Sequence, residues 1–136
     1  MTMPAGRYAI IDLCYVLHDV WDEFCELTIQ DHQCLEGEFT LKDGRRFATL
    51  STAYGDGTYG SNIGTQHSVD AGLIGCIRVE DIRDNTYDNL EDLGAVVEFD
   101  QPFEVSSDQG LLKFGHVEIE TAGGYDWDED EEELEV

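Results

Sequence analysis

Basic residues are scarce in this chain. Seven Lys and Arg face 31 Asp and Glu across 136 residues, giving a formal net charge of −24 and an isoelectric point near 4.1. Only Arg45 and Arg46 are adjacent, so there is no basic patch to hold phosphates, and direct nucleic-acid binding is not expected. Long apolar runs are missing as well. No stretch approaches the roughly 18 residues of a membrane-spanning helix. The N-terminal segment has a lone Arg7 before a short apolar run that Asp12 interrupts, and no small-residue cleavage site follows, so neither a signal peptide nor a membrane role is expected. Four cysteines, at 14, 25, 34 and 76, show no paired spacing. A leaderless protein keeps such thiols reduced, and the expected location is cytoplasmic. Cys25, His32 and Cys34 lack the C-x₂₋₄-C spacing of a zinc site even with His18 added. No P-loop or EF-hand pattern occurs either. No metal, no cofactor and no catalytic residue is therefore assigned, and the balance leans away from an enzyme.

What the chain has in excess is negative charge. Eight acids lie in the last eleven residues, and removing them still leaves −16 on the rest. A small domain needs a net charge of only about 2–8 to stay soluble. The surplus costs stability by self-repulsion and attracts basic surfaces. Duplex DNA carries very roughly one charge per 100 Å² of its surface. A compact chain of 15.3 kDa exposes about 7,000 Å², so 24 net charges average roughly one per 300 Å². Imitation of DNA therefore requires the acids to concentrate on one face. The second half of the chain offers candidates: Asp81, Asp84, Asp88, Glu91, Asp92, Glu98, Asp100, Glu118, Glu120, Asp126 and Asp128.

Residues 8–17, YAIIDLCYVL, read as a first strand buried on both faces. Asp19 then reads as an N-cap, with Asp22 and Glu23 in the first turn. Leu17, Trp21, Phe24, Cys25 and Thr28 share one face at helical spacing, which predicts a short amphipathic helix over 18–29, the main helix of the chain. Segments 38–41 and 45–53 flank a Lys42, Asp43, Gly44 turn and predict a hairpin. Residues 73–79 read as another buried strand, 81–92 as an acidic loop. Residues 94–99, 103–105, 111–114 and 116–120 read as four short strands. The expectation is a single α+β domain over 1–122. It has a mainly antiparallel sheet, as a small barrel or sandwich, and one short helix. The acidic tail, 123–136, is expected to be disordered.

Residues 53–75 hold six of the fourteen glycines between two apolar runs, so the backbone there must turn tightly or approach something closely. Asp12, Asp56 and Asp70, with Tyr54, Tyr59 and His67, are candidates for a ligand pocket. Asp12 interrupts a strand, Asp56 sits between glycines whose amides could form an anion- or metal-binding nest, and Asp70 precedes Ala71 and Gly72. The plainer reading is a structural polar network in which aspartates satisfy their own turns. Tyr54 and Tyr59 then pack over the glycines. Cys14 and Cys76 read as small core hydrophobes, although a Cys–His pair that meets in space stays open. His116 reads as a strand residue. Tyr87, Tyr125 and Trp127 are possible aromatic contacts for an arginine-rich partner.

Three blocks carry a likeness: YAIIDLCYVLHDVWDEFCE at 8–26, AYGDGTYG at 53–60 and SVDAGLIGCI at 68–77. Together they resemble an uncharacterised family of small acidic bacteriophage and bacterial proteins, across about residues 7–120. The resemblance implies a phage or mobile-element setting and no catalytic residues; the acidic tail lies outside its pattern.

Three functions follow as expectations. The first is a phage-type counter-defence inhibitor. Its acidic surface would occlude the basic cleft of a host nucleic-acid-binding complex of CRISPR or restriction type. The second is a pocket that binds or hydrolyses a nucleotide-like signal through the glycine-rich loop and Asp12, Asp56 and Asp70. The third is an acidic interaction module acting through its tail. The expected partner is a basic host protein or nucleoprotein complex.

Overall fold

The computed structural model describes residues 1–30, 33–53, 57–69, 72–82 and 90–121. Thirteen short strands and one helix alternate along them. The strands are β1 (Thr2–Met3), β2 (Gly6–Ile11), β3 (Ile29–Gln30), β4 (Gln33–Cys34), β5 (Gly37–Thr40), β6 (Arg46–Ser51), β7 (Gly57–Gly60), β8 (Gln66–Val69), β9 (Leu73–Arg78), β10 (Ala95–Phe99), β11 (Phe103–Asp108), β12 (Leu111–Phe114) and β13 (Val117–Glu120). The helix, α1, is Trp21–Thr28. A five-stranded sheet runs β10-β2-β9-β6-β5 and a four-stranded sheet β1-β11-β12-β13, and every pairing is antiparallel. The sheets stack as an α+β sandwich and do not close into a barrel.

The two sheets enclose Tyr8, Ile10, Ala48, Leu50, Ile74 and Cys76 from one side and Val105, Leu112, Phe114, Val117 and Ile119 from the other. The second face of the five-stranded sheet is also buried. Ala9, Ile11, Phe47, Leu73 and Ile77 pack there against Leu13, Val16, Leu17 and Phe24. Burial on both faces is why β2, β6 and β9 read as nearly unbroken apolar runs rather than alternating ones. Gly75 makes that close stacking possible. A Cβ at this position would lie 2.3 Å from the Ala48 carbonyl and 2.6 Å from Leu13 Cδ1.

Several boundaries differ from expectation. The first strand stops at Ile11, because the Asp12 carboxylate accepts from the Cys14 amide (2.9 Å) and starts a 3₁₀ turn over Leu13–Tyr15. The helix is shorter than 18–29, since His18–Val20 form a 3₁₀ turn. Asp19 is not its N-cap. Val20 takes that position without a side-chain cap, and the Asp19 carboxylate pairs with Arg45 instead. Asp22 and Glu23 do occupy the first turn, Phe24 and Thr28 are buried, and Trp21 stacks on Phe24 at 4.6 Å.

The glycine-rich stretch contributes a hairpin, β7–β8. Asn62 docks it to β13 by substituting for backbone: its Nδ2 donates to His116 O (2.9 Å) and its Oδ1 accepts from Glu118 N (2.8 Å). On its other side the Ser68 amide donates to Leu93 O (3.0 Å), so the hairpin spans from the four-stranded sheet to the start of β10. Among the described residues, no helix is long and apolar enough to cross a membrane.

Candidate functional site

The four-stranded sheet keeps one face in solvent. Its strands alternate, with Phe103, Val105, Leu112, Phe114, Val117 and Ile119 turned inward. Cross-strand partners share a face. The register Thr2↔Glu104, Ser106↔Lys113↔Glu118 and Asp108↔Leu111↔Glu120 therefore places these eight side chains outward. Four are carboxylates and one is a lysine, a net −3. Strand spacing and rise give each outward side chain about 32 Å², so these eight positions cover roughly 260 Å² at about one net charge per 90 Å². That matches the rough figure for duplex DNA, which is likewise an area over a smooth envelope. The N-terminal ammonium lies 3.9 Å from Glu104 while donating to Val105 O (3.1 Å). Counting it lowers the density only to about one per 130 Å² by the same spacing.

The acids chosen from sequence do not all gather there. Glu118 and Glu120 lie on this face. Glu98 lies on β10, opposite Arg7, with Asp100 just beyond the strand. Glu91 and Asp92 form a 3₁₀ turn (Leu90–Asp92) ahead of β10, and Asp81 closes another (Val79–Asp81) after β9. Asp84, Asp88, Asp126, Asp128 and the tail lie outside the described residues. Conversely, Glu104 and Asp108 join the face although sequence reading did not single them out. The alternation in FEVSSD and VEIE is the signal that could have found them.

Two of the arginines are held away from this face. Arg45 is buried and holds Asp19 (3.0 Å) and Asp43 (2.8 Å). Burial opposes its charge, but hydrogen bonds to Asp43 and Asp19 outweigh it and raise the guanidinium pKa. Arg46 pairs with Glu38, whose hydrogen bond likewise favours its charged form. Both arginines lie around the β5–β6 turn, in the opposite sheet.

Of the proposed ligand pocket, Tyr54, Asp56 and Asp70 lie outside the described residues. Asp12, Tyr59 and His67 are built into the fold. Asp12 caps its turn, and Tyr59 (8% exposed) joins the inter-sheet core, its hydroxyl 3.6 Å from where a Gly57 Cβ would stand. His67 is wholly buried, and its Nε2 continues a chain from Ser61 Oγ through Thr65 Oγ1 (2.6 and 2.8 Å). Among the described residues, its Nδ1 has no hydrogen-bond partner of good geometry. Burial lowers the imidazole pKa to about 4, although the nearby Ile10 backbone favours the proton. The ring is thus held neutral at pH 7. Cys76 is buried with its thiol pushed up to about 12 by desolvation, which rules it out as a thiolate nucleophile near neutral pH. Cys25 is raised for the same reason, with Asp22 adding to it. His116 is exposed just before β13, tilted against Phe99 at 5.6 Å. Among the described residues, no group of three or more His, Cys, Asp or Glu side chains is placed to hold a metal ion.

No protein-family model, curated protein or solved structure matches this chain.

Proposed function

We propose that this protein is a non-enzymatic acidic inhibitor that occupies the basic, nucleic-acid-binding cleft of a host defence complex of restriction or CRISPR type. The outward face of the four-stranded sheet is its contact surface. The observation that carries this reading is the local charge density of that face, about one net negative charge per 90 Å² on rigid strands, close to that of duplex DNA. A β-sheet fixes its side-chain origins, so the acids need little further ordering when a partner arrives. The chain's total of −24 adds long-range steering toward a basic cleft. The choice of a host defence complex as partner rests on the phage setting expected from the three sequence blocks and is part of the proposal.

The test is competition. Labelled duplex DNA bound to candidate restriction and RNA-guided complexes is titrated with the protein, and its release is followed by fluorescence anisotropy at two salt concentrations. The expected outcome is displacement that weakens steeply from about 50 to 200 mM salt, as counterion-linked binding does. Displacement unchanged over that range contradicts the proposal. Deleting residues 126–136 separates face from tail: binding through the sheet survives the deletion, and binding through the tail disappears.

A further inference from the structure

The molecule also holds a cationic recess, which the acidic face does not explain. A cavity of about 180 Å³ lies at one end of the sandwich, lined by Pro4, Tyr8, Gly44, Arg46, Arg78 and Asp81. Arg46 starts β6 and Arg78 ends the adjacent β9, while Tyr8, the third residue of neighbouring β2, is directly paired to Arg78. Strand alternation turns all three toward the inter-sheet side, in line with Ala48 and Cys76.

Arg78 is the half-buried member without an ion pair. Arg46 holds Glu38, whereas no described carboxylate lies within 4.0 Å of Arg78; Arg7, Lys42 and Lys113 also lack an ion pair among the described residues, but all three are exposed. The Arg78 Nη2 donates to the Ala5 carbonyl (3.0 Å), and the guanidinium lies beside the Tyr8 phenol, whose own hydroxyl donates to Pro4 O (2.8 Å). These contacts fix the guanidinium, and among the described residues no further partner takes its remaining N–H groups. Gly6 keeps room for it, since a Cβ there would come within 3.2 Å of Arg78 Nε. A fixed, half-buried guanidinium at a cavity wall suits a planar oxyanion, which it can meet with two parallel hydrogen bonds.

We propose that this cavity is a binding site for the carboxylate of a small ligand, with Arg78 as its anchor and Arg46 as a supporting charge. The shared chemistry is an oxyanion. Asp81 in the wall and the overall −24 penalise a phosphate dianion more than a singly charged carboxylate. The site is distinct from the acidic face and does not depend on it.

The test is an amide and guanidinium NMR titration of the full chain with sodium acetate, and separately with inorganic phosphate. Sodium chloride holds the ionic strength constant. The expected result is a saturable shift of the Arg78 Nε–Hε signal and of the Gly6 and Gly44 amides, tighter for acetate. Losing a charged hydrogen bond of this kind should cost Arg78→Gln at least about tenfold in affinity. Arg46→Gln, which leaves the Ala5 contact intact, should weaken acetate by a smaller factor and keeps the test valid if Arg78→Gln fails to fold. Arg7→Gln, exposed and outside the cavity, should bind as the parent does. Shifts that follow ionic strength without saturating overturn the proposal, as does equal weakening by Arg7→Gln and Arg46→Gln. Saturation by phosphate tighter than acetate overturns the carboxylate assignment.

Discussion

The two sheets are built alike and used differently. Both are antiparallel with strands of two to six residues, yet one is covered on both sides and the other on one. The five-stranded sheet spends its sequence on packing: YAII, FATL and LIGCI leave almost no position for a surface role. The four-stranded sheet alternates, so each inward Val, Ile, Leu or Phe frees an outward neighbour from the core. Those free positions carry Glu104, Asp108, Glu118 and Glu120. A strand with one wet face can change its charge without touching its core; a strand buried on both faces cannot.

Substitutions can break that contrast, and the largest effect belongs to the doubly buried sheet. Phe47 is fully buried and packs its ring against Phe24 (5.2 Å) and Phe39 (5.7 Å). Phe47→Ala should cost about 3–5 kcal/mol in urea unfolding; a loss under 1 kcal/mol would mean that the helix layer is not part of the cooperative core. Next in size is the pH response of His67. Its folded pKa, about 4, lies below the ordinary value of 6.5. The unfolded chain therefore binds more protons between these values, and stability contributed by the neutral ring is present above pH 6.5 and lost as pH falls toward 4. The loss should reach about 3 kcal/mol relative to His67→Gln. Parallel stability–pH curves for the two proteins would refute the buried, neutral imidazole. Subtracting the variant's curve also removes the titration of the many carboxylates.

A smaller effect sharpens the link between the sheets. Asn62→Ala removes two side-chain hydrogen bonds to the β12–β13 region and should cost about 1–2 kcal/mol. Amide exchange should speed up in β7 and β8 before it does in β9. The smallest effect is on stability at the acidic face. Glu104→Gln with Glu118→Gln should leave the unfolding midpoint within the roughly 0.5 kcal/mol typical of surface changes, or raise it slightly by relieving repulsion.

Much of the fold was legible because hydrophobic pattern and turn chemistry agree locally. The β5–β6 hairpin announced itself through Asp43 and Gly44. The four short strands of the second half were found within three residues of their observed ends. Errors came where a side chain had two competing partners. Asp12 looked like a charge inside a long strand, but its carboxylate ends that strand by taking the Cys14 amide. Asp19 looked like a cap, but the distant Arg45 holds it, and no local pattern encodes a contact 26 residues away. The β7–β8 hairpin was hidden by its glycines, which depress strand propensity while Asn62 supplies the docking. The acidic face was half legible: charge was plain in composition, but its convergence depends on register across β1, β11, β12 and β13. Arg78 gave no signal in sequence, because what marks it is the cavity it lines and the distant Ala5 carbonyl that fixes it.

The most direct measurement compares two charge-matched variants in the DNA-displacement assay. One replaces Glu104, Asp108, Glu118 and Glu120 with Gln; the other replaces Asp22, Glu26, Glu91 and Asp92 with the neutral amides, all exposed but outside the four-stranded sheet. Both lose four charges. The account predicts that the first loses displacement by at least about tenfold while the second stays within about threefold of the parent, because only the first removes contacts. Equal losses would mean that net charge alone drives binding, and the acidic face would not be the site.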